Sequence, residues 1–172
     1  MKILKTRFKD LIVAQNVSHK DRRGFFRELV LEKLIKTKLK FYVVSKSKKN
    51  VLRGLHFQSI NPQGKYLSVI KGEIFDVAVD CRPHSKTFGK HFKIILSENN
   101  CKSIYIPPGF LHGFLSLDKE NIVMYSCTKY RHKNSEIGIK WDDEDLNINW
   151  NILNPILSKK DQKNLEFKNL KL

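Results

Sequence analysis

No stretch constrains this chain more than residues 65–80. Tyr66-Leu67-Ser68-Val69-Ile70 and Glu73-Ile74-Phe75-Asp76-Val77-Ala78-Val79-Asp80 are strand-like runs that flank Lys71-Gly72. The pattern predicts two strands joined by a Gly turn into a hairpin. Because strand side chains alternate, Phe75, Val77 and Val79 share one face of the second strand, and Asp76, Ala78 and Asp80 share the other. Two carboxylates are costly to bury unpaired, so this second face is expected to line a functional cavity or to meet solvent.

Short strand-like runs recur along the rest of the chain. Ile3, Leu4, Phe8 and Leu11-Ile12-Val13 suit an opening strand, Asp21-Arg22-Arg23-Gly24 a turn, and 25–30 and 41–45 further strands. Later strands are predicted at 91–96, 103–106, 114–117, 122–130 and 137–141. Leu31, Leu34, Ile35 and Leu39 have the rhythm of one short helix over 31–39. Beyond Trp150 the pattern changes, and Ser158-Lys159-Lys160-Asp161 is suited to capping a short terminal helix. With 172 residues and no internal repeat or low-complexity linker, the chain is expected to form one all-β domain, a sandwich or small barrel.

Charge and cysteine usage narrow the function classes. Lys and Arg number 33 against 17 acidic residues, a formal +16, which admits polyanionic partners. The lysines are scattered or sit in solvated runs at 33–40 and 46–49, and no zinc finger, basic zipper or RNP-type aromatic pair accompanies them, so no nucleic-acid partner is expected. Cys81, Cys101 and Cys127 are an odd, dispersed set without a C-x-x-C pair, which suits a reducing compartment. No apolar run approaches the roughly 20 residues of a membrane span, and the first residues lack the apolar core of a signal peptide. A cytoplasmic location with no membrane partner is expected.

The chemistry concentrates in two stretches. Val51-Leu52-Arg53-Gly54-Leu55-His56-Phe57-Gln58, followed by Gln63-Gly64-Lys65, carries cations on a strand and suits a pocket for an anionic substrate. Arg53 and His56 are three apart, so a regular strand points them to opposite faces; a bulge, bend or strand end is predicted near Gly54. Ile106-Pro107-Pro108-Gly109-Phe110-Leu111-His112-Gly113-Phe114 delivers a second His from a Pro/Gly turn, in a pattern similar to the second motif of cupin barrels. Two His residues with no carboxylate close in sequence and a nearby Lys make a poor divalent-metal site, so no metal is expected. Side chains alone can still run proton chemistry beside a ketone: a His takes the proton, an ammonium steadies the oxyanion and a Tyr returns a proton from the other side.

These stretches, with Ser85-Lys86-Thr87-Phe88-Gly89, Ile139-Lys140-Trp141-Asp142-Asp143 and Leu157-Ser158-Lys159-Lys160-Asp161, resemble the dTDP-4-dehydrorhamnose 3,5-epimerase family, in order, over about residues 20–165. The resemblance implies a cupin-like jelly roll with a few short peripheral helices. It implies a homodimer acting without cofactor on a nucleotide-diphospho-4-keto-6-deoxyhexose, in the synthesis of rhamnose or a related surface sugar. It implies that His56 is the base, with Asp161 from a C-terminal segment, about 151–172, as its partner carboxylate. Tyr125 would be the acid on the far face of the sugar. Lys65 and His112 would surround the ketone, and Asp76 would hold that cluster. Arg23, Glu28, Arg53, Glu136 and Lys160 would contact the rest of the substrate, and Arg131 stands where the family places the aromatic that stacks on the base. Phe41 and Val43 stand where the family has a Gln-x-Asn pair. An epimerase acting at C3 alone, or a sugar-nucleotide-binding protein without turnover, are the other readings.

Overall fold

The computed structural model describes residues 1–30 and 32–171. Period-two alternation places thirteen short strands in it: β1 Lys2–Leu4, β2 Ile12–Gln15, β3 Ser18–Asp21, β4 Gly24–Arg27, β5 Phe41–Lys48, β6 Leu52–Gln58, β7 Lys65–Lys71, β8 Glu73–Asp80, β9 His91–Ser97, β10 Lys102–Ile106, β11 Phe110–Ser116, β12 Glu120–Cys127 and β13 Glu136–Gly138. Six form a sheet in the order β1-β2-β10-β7-β12-β5 and five a second sheet in the order β13-β6-β11-β8-β9; among the described residues β3 and β4 pair only with each other. All pairings between these strands are antiparallel, and the two large sheets form the expected cupin-like jelly-roll sandwich.

The hairpin expected over 66–80 is not present. β7 pairs with β10 and β12, whereas β8 pairs with β11 and β9, so the two runs lie in different sheets. Only Gly72 separates them, too short a link for a two-residue hairpin turn. Its φ of +81° instead swings the chain from one sheet to the other, a corner of the kind that sandwiches use. A Cβ there would fall 2.4 Å from the Glu120 carbonyl oxygen, so the corner requires glycine.

Leu67, Val69, Ile74, Ala78, Ile104, Phe110, Phe114 and Val123 fill the core that includes both large sheets. A second core uses the opposite face of the five-stranded sheet, where Leu55, Val77, Val79 and Leu111 pack with Ile139, Leu146, Ile148 and Trp150 from the chain beyond β13. From Asp76 onward β8 is therefore buried on both faces. Asp80 is enclosed in hydrogen bonds from Arg82, Ser85 and Thr87, and Asp76 bonds His112.

The predicted helix over 31–39 shortens to α1 Glu32–Ile35; its first position, Leu31, lies outside the described residues. Lys36 has a left-handed φ of +52°, and the Leu39 N–H donates to Glu32 Oε1 (2.8 Å), which closes the segment as a loop. The capped terminal helix is one 3-10 turn, Asp161–Lys163, whose first N–H donates to Ser158 Oγ (3.0 Å). No helix among the described residues is long and apolar enough to cross a membrane.

Candidate active site

Along the inward-facing positions the core gives way to a cavity. On β7 the row Val69, Leu67, Lys65 passes from core to cavity, and on β12 the row Val123, Tyr125, Cys127 does the same. The cavity holds about 550 Å³, a size suited to a small ligand. β5, β7 and β12 of one sheet, β6 and β11 of the other, and residues 156–161 line it.

The irregularity predicted near Gly54 is present. His112 pairs with His56 and Phe114 with Arg53, so β6 spends three steps where β11 spends two. This bulge moves Arg53 and His56 onto one side, and both line the cavity, while Leu52, Leu55 and Phe57 join the second core. Gly54 has φ +126°, and a Cβ there would lie 2.5 Å from Gly113 Cα, so two glycines let the strands approach.

Two imidazoles on neighbouring strands each meet a carboxylate. His56 Nε2 lies 2.6 Å from Asp161 Oδ1, across 105 positions of sequence, and His112 Nε2 lies 2.8 Å from Asp76 Oδ2. His56 keeps 32% of its side chain exposed, whereas Asp161, Asp76 and His112 are buried. With the carboxylate as acceptor, His56 donates from Nε2, which leaves Nδ1 free to take a proton. Burial pushes the Asp161 carboxyl up, but the His56 hydrogen bond and charge, with Ser158 and Lys160, outweigh it and hold Asp161 below its ordinary value. It therefore stays ionised at neutral pH.

The remaining cavity groups are tuned by burial. Desolvation pushes the Lys65 ammonium below its ordinary 10.5, opposed by Cys127, Glu136 and Asp76. Desolvation pushes the Tyr125 phenol up, against a lowering from its hydrogen bond with Ser45, whose Oγ lies 3.3 Å away, and from Arg53. Tyr125 thus keeps its proton, and it reaches the cavity from the sheet opposite His56. A carbon acid held between them would meet an imidazole nitrogen on one side and a phenol O–H on the other. Among the described residues no group of three or more His, Cys, Asp or Glu is arranged to hold a metal ion.

Glu136 organises the rim. It takes a two-pronged hydrogen bond from Arg131 (2.6 and 2.9 Å) and a third from Lys160 (2.8 Å); the Arg131 bond first, then Lys160, against burial, bring its carboxyl down to about 2. The fork uses the edge of the guanidinium and leaves its faces available for stacking. Arg53 is tied to β5 through Ser47 Oγ (3.0 Å) and the Lys46 carbonyl (3.2 Å).

Of the residues singled out from sequence, His56, Asp161, Tyr125, Lys65, Arg53, His112, Glu136, Lys160 and Arg131 line one cavity, and Asp76 supports His112 from beneath. Arg23 and Glu28 do not reach it in this chain: Arg23 pairs with Asp21 (2.7 Å) at the exposed tip of the β3–β4 hairpin, and Glu28 is exposed just after it. Sequence reasoning missed Ser45, Cys127 and Phe114. A two-residue step from Val43 reaches Ser45, and one from Tyr125 reaches Cys127; nothing in the sequence marks them further.

A family model described as dTDP-4-dehydrorhamnose 3,5-epimerase matches residues 5–169. The chain belongs to this family. It is 44% identical over 154 residues to the dTDP-4-dehydrorhamnose 3,5-epimerase of Methanothermobacter thermautotrophicus, covering 87% of this chain and 83% of that one. Its structure is similar to that of a dTDP-6-deoxy-D-glucose-3,5-epimerase from Legionella pneumophila in complex with dTDP-4-keto-L-rhamnose, at TM-score 0.94 and 38% identity, covering 99% and 94% of the two chains. It also resembles a 3'-monoepimerase from Streptomyces bikiniensis in complex with dTDP-quinovose, at TM-score 0.87 and 27% identity, covering 94% and 85%. Within this epimerase-family chain, Phe41 and Val43 make the β5 wall of the cavity apolar beside Ser45.

Proposed function

We propose that this protein inverts C3 and C5 of dTDP-4-dehydro-6-deoxyglucose to give dTDP-4-dehydrorhamnose, without a cofactor. The observation that carries this reading is the pairing of an ionised Asp161 with His56 on one sheet, opposite a protonated Tyr125 on the other. The C4 ketone acidifies the hydrogens on both neighbouring carbons, so one base serves two centres. His56 takes each proton while Asp161 stabilises the imidazolium. Lys65 and His112 steady the enolate oxygen at C4, and Asp76 orients His112. Tyr125 delivers a proton from the other face. Arg53, Lys160 and Arg131 serve the diphosphate and base, with Glu136 holding the last two in place.

The active species in this reading is a homodimer in the cytoplasm. Phe25 and Phe26, 57% and 68% exposed, stand on a hairpin that pairs with no other strand among the described residues, and Tyr42 and Val44 are exposed on the edge strand β5. A second copy would cover these apolar groups and bring Arg23 and Glu28 to its cavity.

Proton NMR in deuterated water tests the reaction. Incubation with dTDP-4-dehydro-6-deoxyglucose is expected to place deuterium at C3 and C5, and His56→Ala to abolish the exchange. Deuterium at C3 alone would make the protein a monoepimerase, and none would leave a binding protein without turnover.

A further inference from the structure

The strand that carries His56 and the turn that carries Asp161 are joined through one buried amide. Asn164 ends the Asp161–Lys163 turn, where its backbone N–H donates to the Asp161 carbonyl (3.3 Å). Its side-chain Nδ2 donates to two carbonyls, Gly54 O (3.2 Å) and Ile139 O (3.3 Å). Both partners are acceptors, which fixes the amide with its NH₂ group toward them. Gly54 belongs to the β6 bulge two positions before His56. Ile139 is clamped to the same bulge by reciprocal backbone bonds with Leu55 (3.1 and 2.9 Å), and Gly138 is the register partner of His56. A Cβ on Gly138 would fall 1.9 Å from Asn164 Oδ1, so the absent side chain at 138 is what admits the amide.

We propose that Asn164 is a positioning residue that sets the separation of His56 and Asp161. The bulge has lost a regular ladder, and the Asp161 turn is a single 3-10 turn with little rigidity of its own. Their mutual placement depends on groups that touch both, and Asn164 bonds the turn through its backbone and the bulge through its side chain. The proposal rests on the reading of His56 as the base.

The test replaces Asn164 by Leu, which keeps the branched skeleton and removes the donors, and by Ala. Expected is a fall in kcat for deuterium exchange on the order of 10–100-fold, the cost of a small misplacement. KM should stay within about twofold, because the substrate contacts are untouched. The low-field proton resonance of the His56–Asp161 hydrogen bond, assigned by its loss in Asp161→Asn, should move upfield or vanish. Gly138→Ala, which displaces the amide from the other side, should act in the same way, and Gly138→Ala with Asn164→Ala should be no worse than Asn164→Ala alone. Variants that melt at lower temperature yet retain the parent's kcat and resonance would overturn the proposal. Should the parent show no exchange on the sugar nucleotide, the functional reading fails by itself, and the resonance still reports whether Asn164 holds the pair.

Discussion

Lys65 and Tyr125 share one cavity but are driven in opposite directions by the same burial. Desolvation disfavours whichever form is charged, so it lowers the ammonium and raises the phenol. As pH rises, Lys65 loses its favourable state before Tyr125 does: its charge disappears on passing a value below 10.5, while the Tyr125 phenol, pushed up by burial, keeps its proton. The rate of C3 deuterium exchange is therefore expected to fall on an alkaline limb below pH 10.5. Tyr125→Phe should lose inversion at C5 yet keep C3 exchange and the same limb. A limb that vanishes in Tyr125→Phe would assign it to the phenol.

At the scale of elements, the β6 bulge is the device that makes a site out of a strand. Arg53 and His56 signalled it in the sequence, because two polar side chains three apart share a face only if alternation is broken. Gly54→Ala would force a side chain into φ +126° and against Gly113, at a cost of about 2–4 kcal/mol. Thermal denaturation should show a fall in Tm of roughly 5–15 °C. Exchange activity should fall beyond what the folded fraction explains, since restoring regular alternation turns Arg53 or His56 away. The corner at Gly72 was less legible. Strand, glycine, strand reads alike for a hairpin and for a change of sheet, and only the pairing partners β9 to β12 separate the two.

For the whole molecule, the β3–β4 hairpin decides whether one chain suffices. Arg23 lies outside its own cavity, so under the dimer reading it serves the other protomer. Mixing Arg23→Ala with His56→Ala chains then gives heterodimers in which one cavity carries both defects and the other carries neither. Each homodimer should be impaired, and the mixture should regain activity at about one site in four when chains exchange freely. Absence of complementation, with exchange of protomers demonstrated, would place Arg23 outside any partner's cavity.

The sequence by itself determined the all-β class, the position of most strands and the types of side chain that line the cavity, because alternation and side-chain type are local properties that survive without a fold. The separation of β7 from β8, the second core laid down by residues 139–170 and the burial of β8 on both faces were decided by tertiary structure, since a run of apolar alternation does not say what will cover it. The same holds for Asp161 and Asn164. Read locally they are polar residues in a C-terminal turn, and only packing of that turn against β6 puts a carboxylate 2.6 Å from His56 and an amide under the bulge. A contact across 105 residues is a property of the closed sandwich.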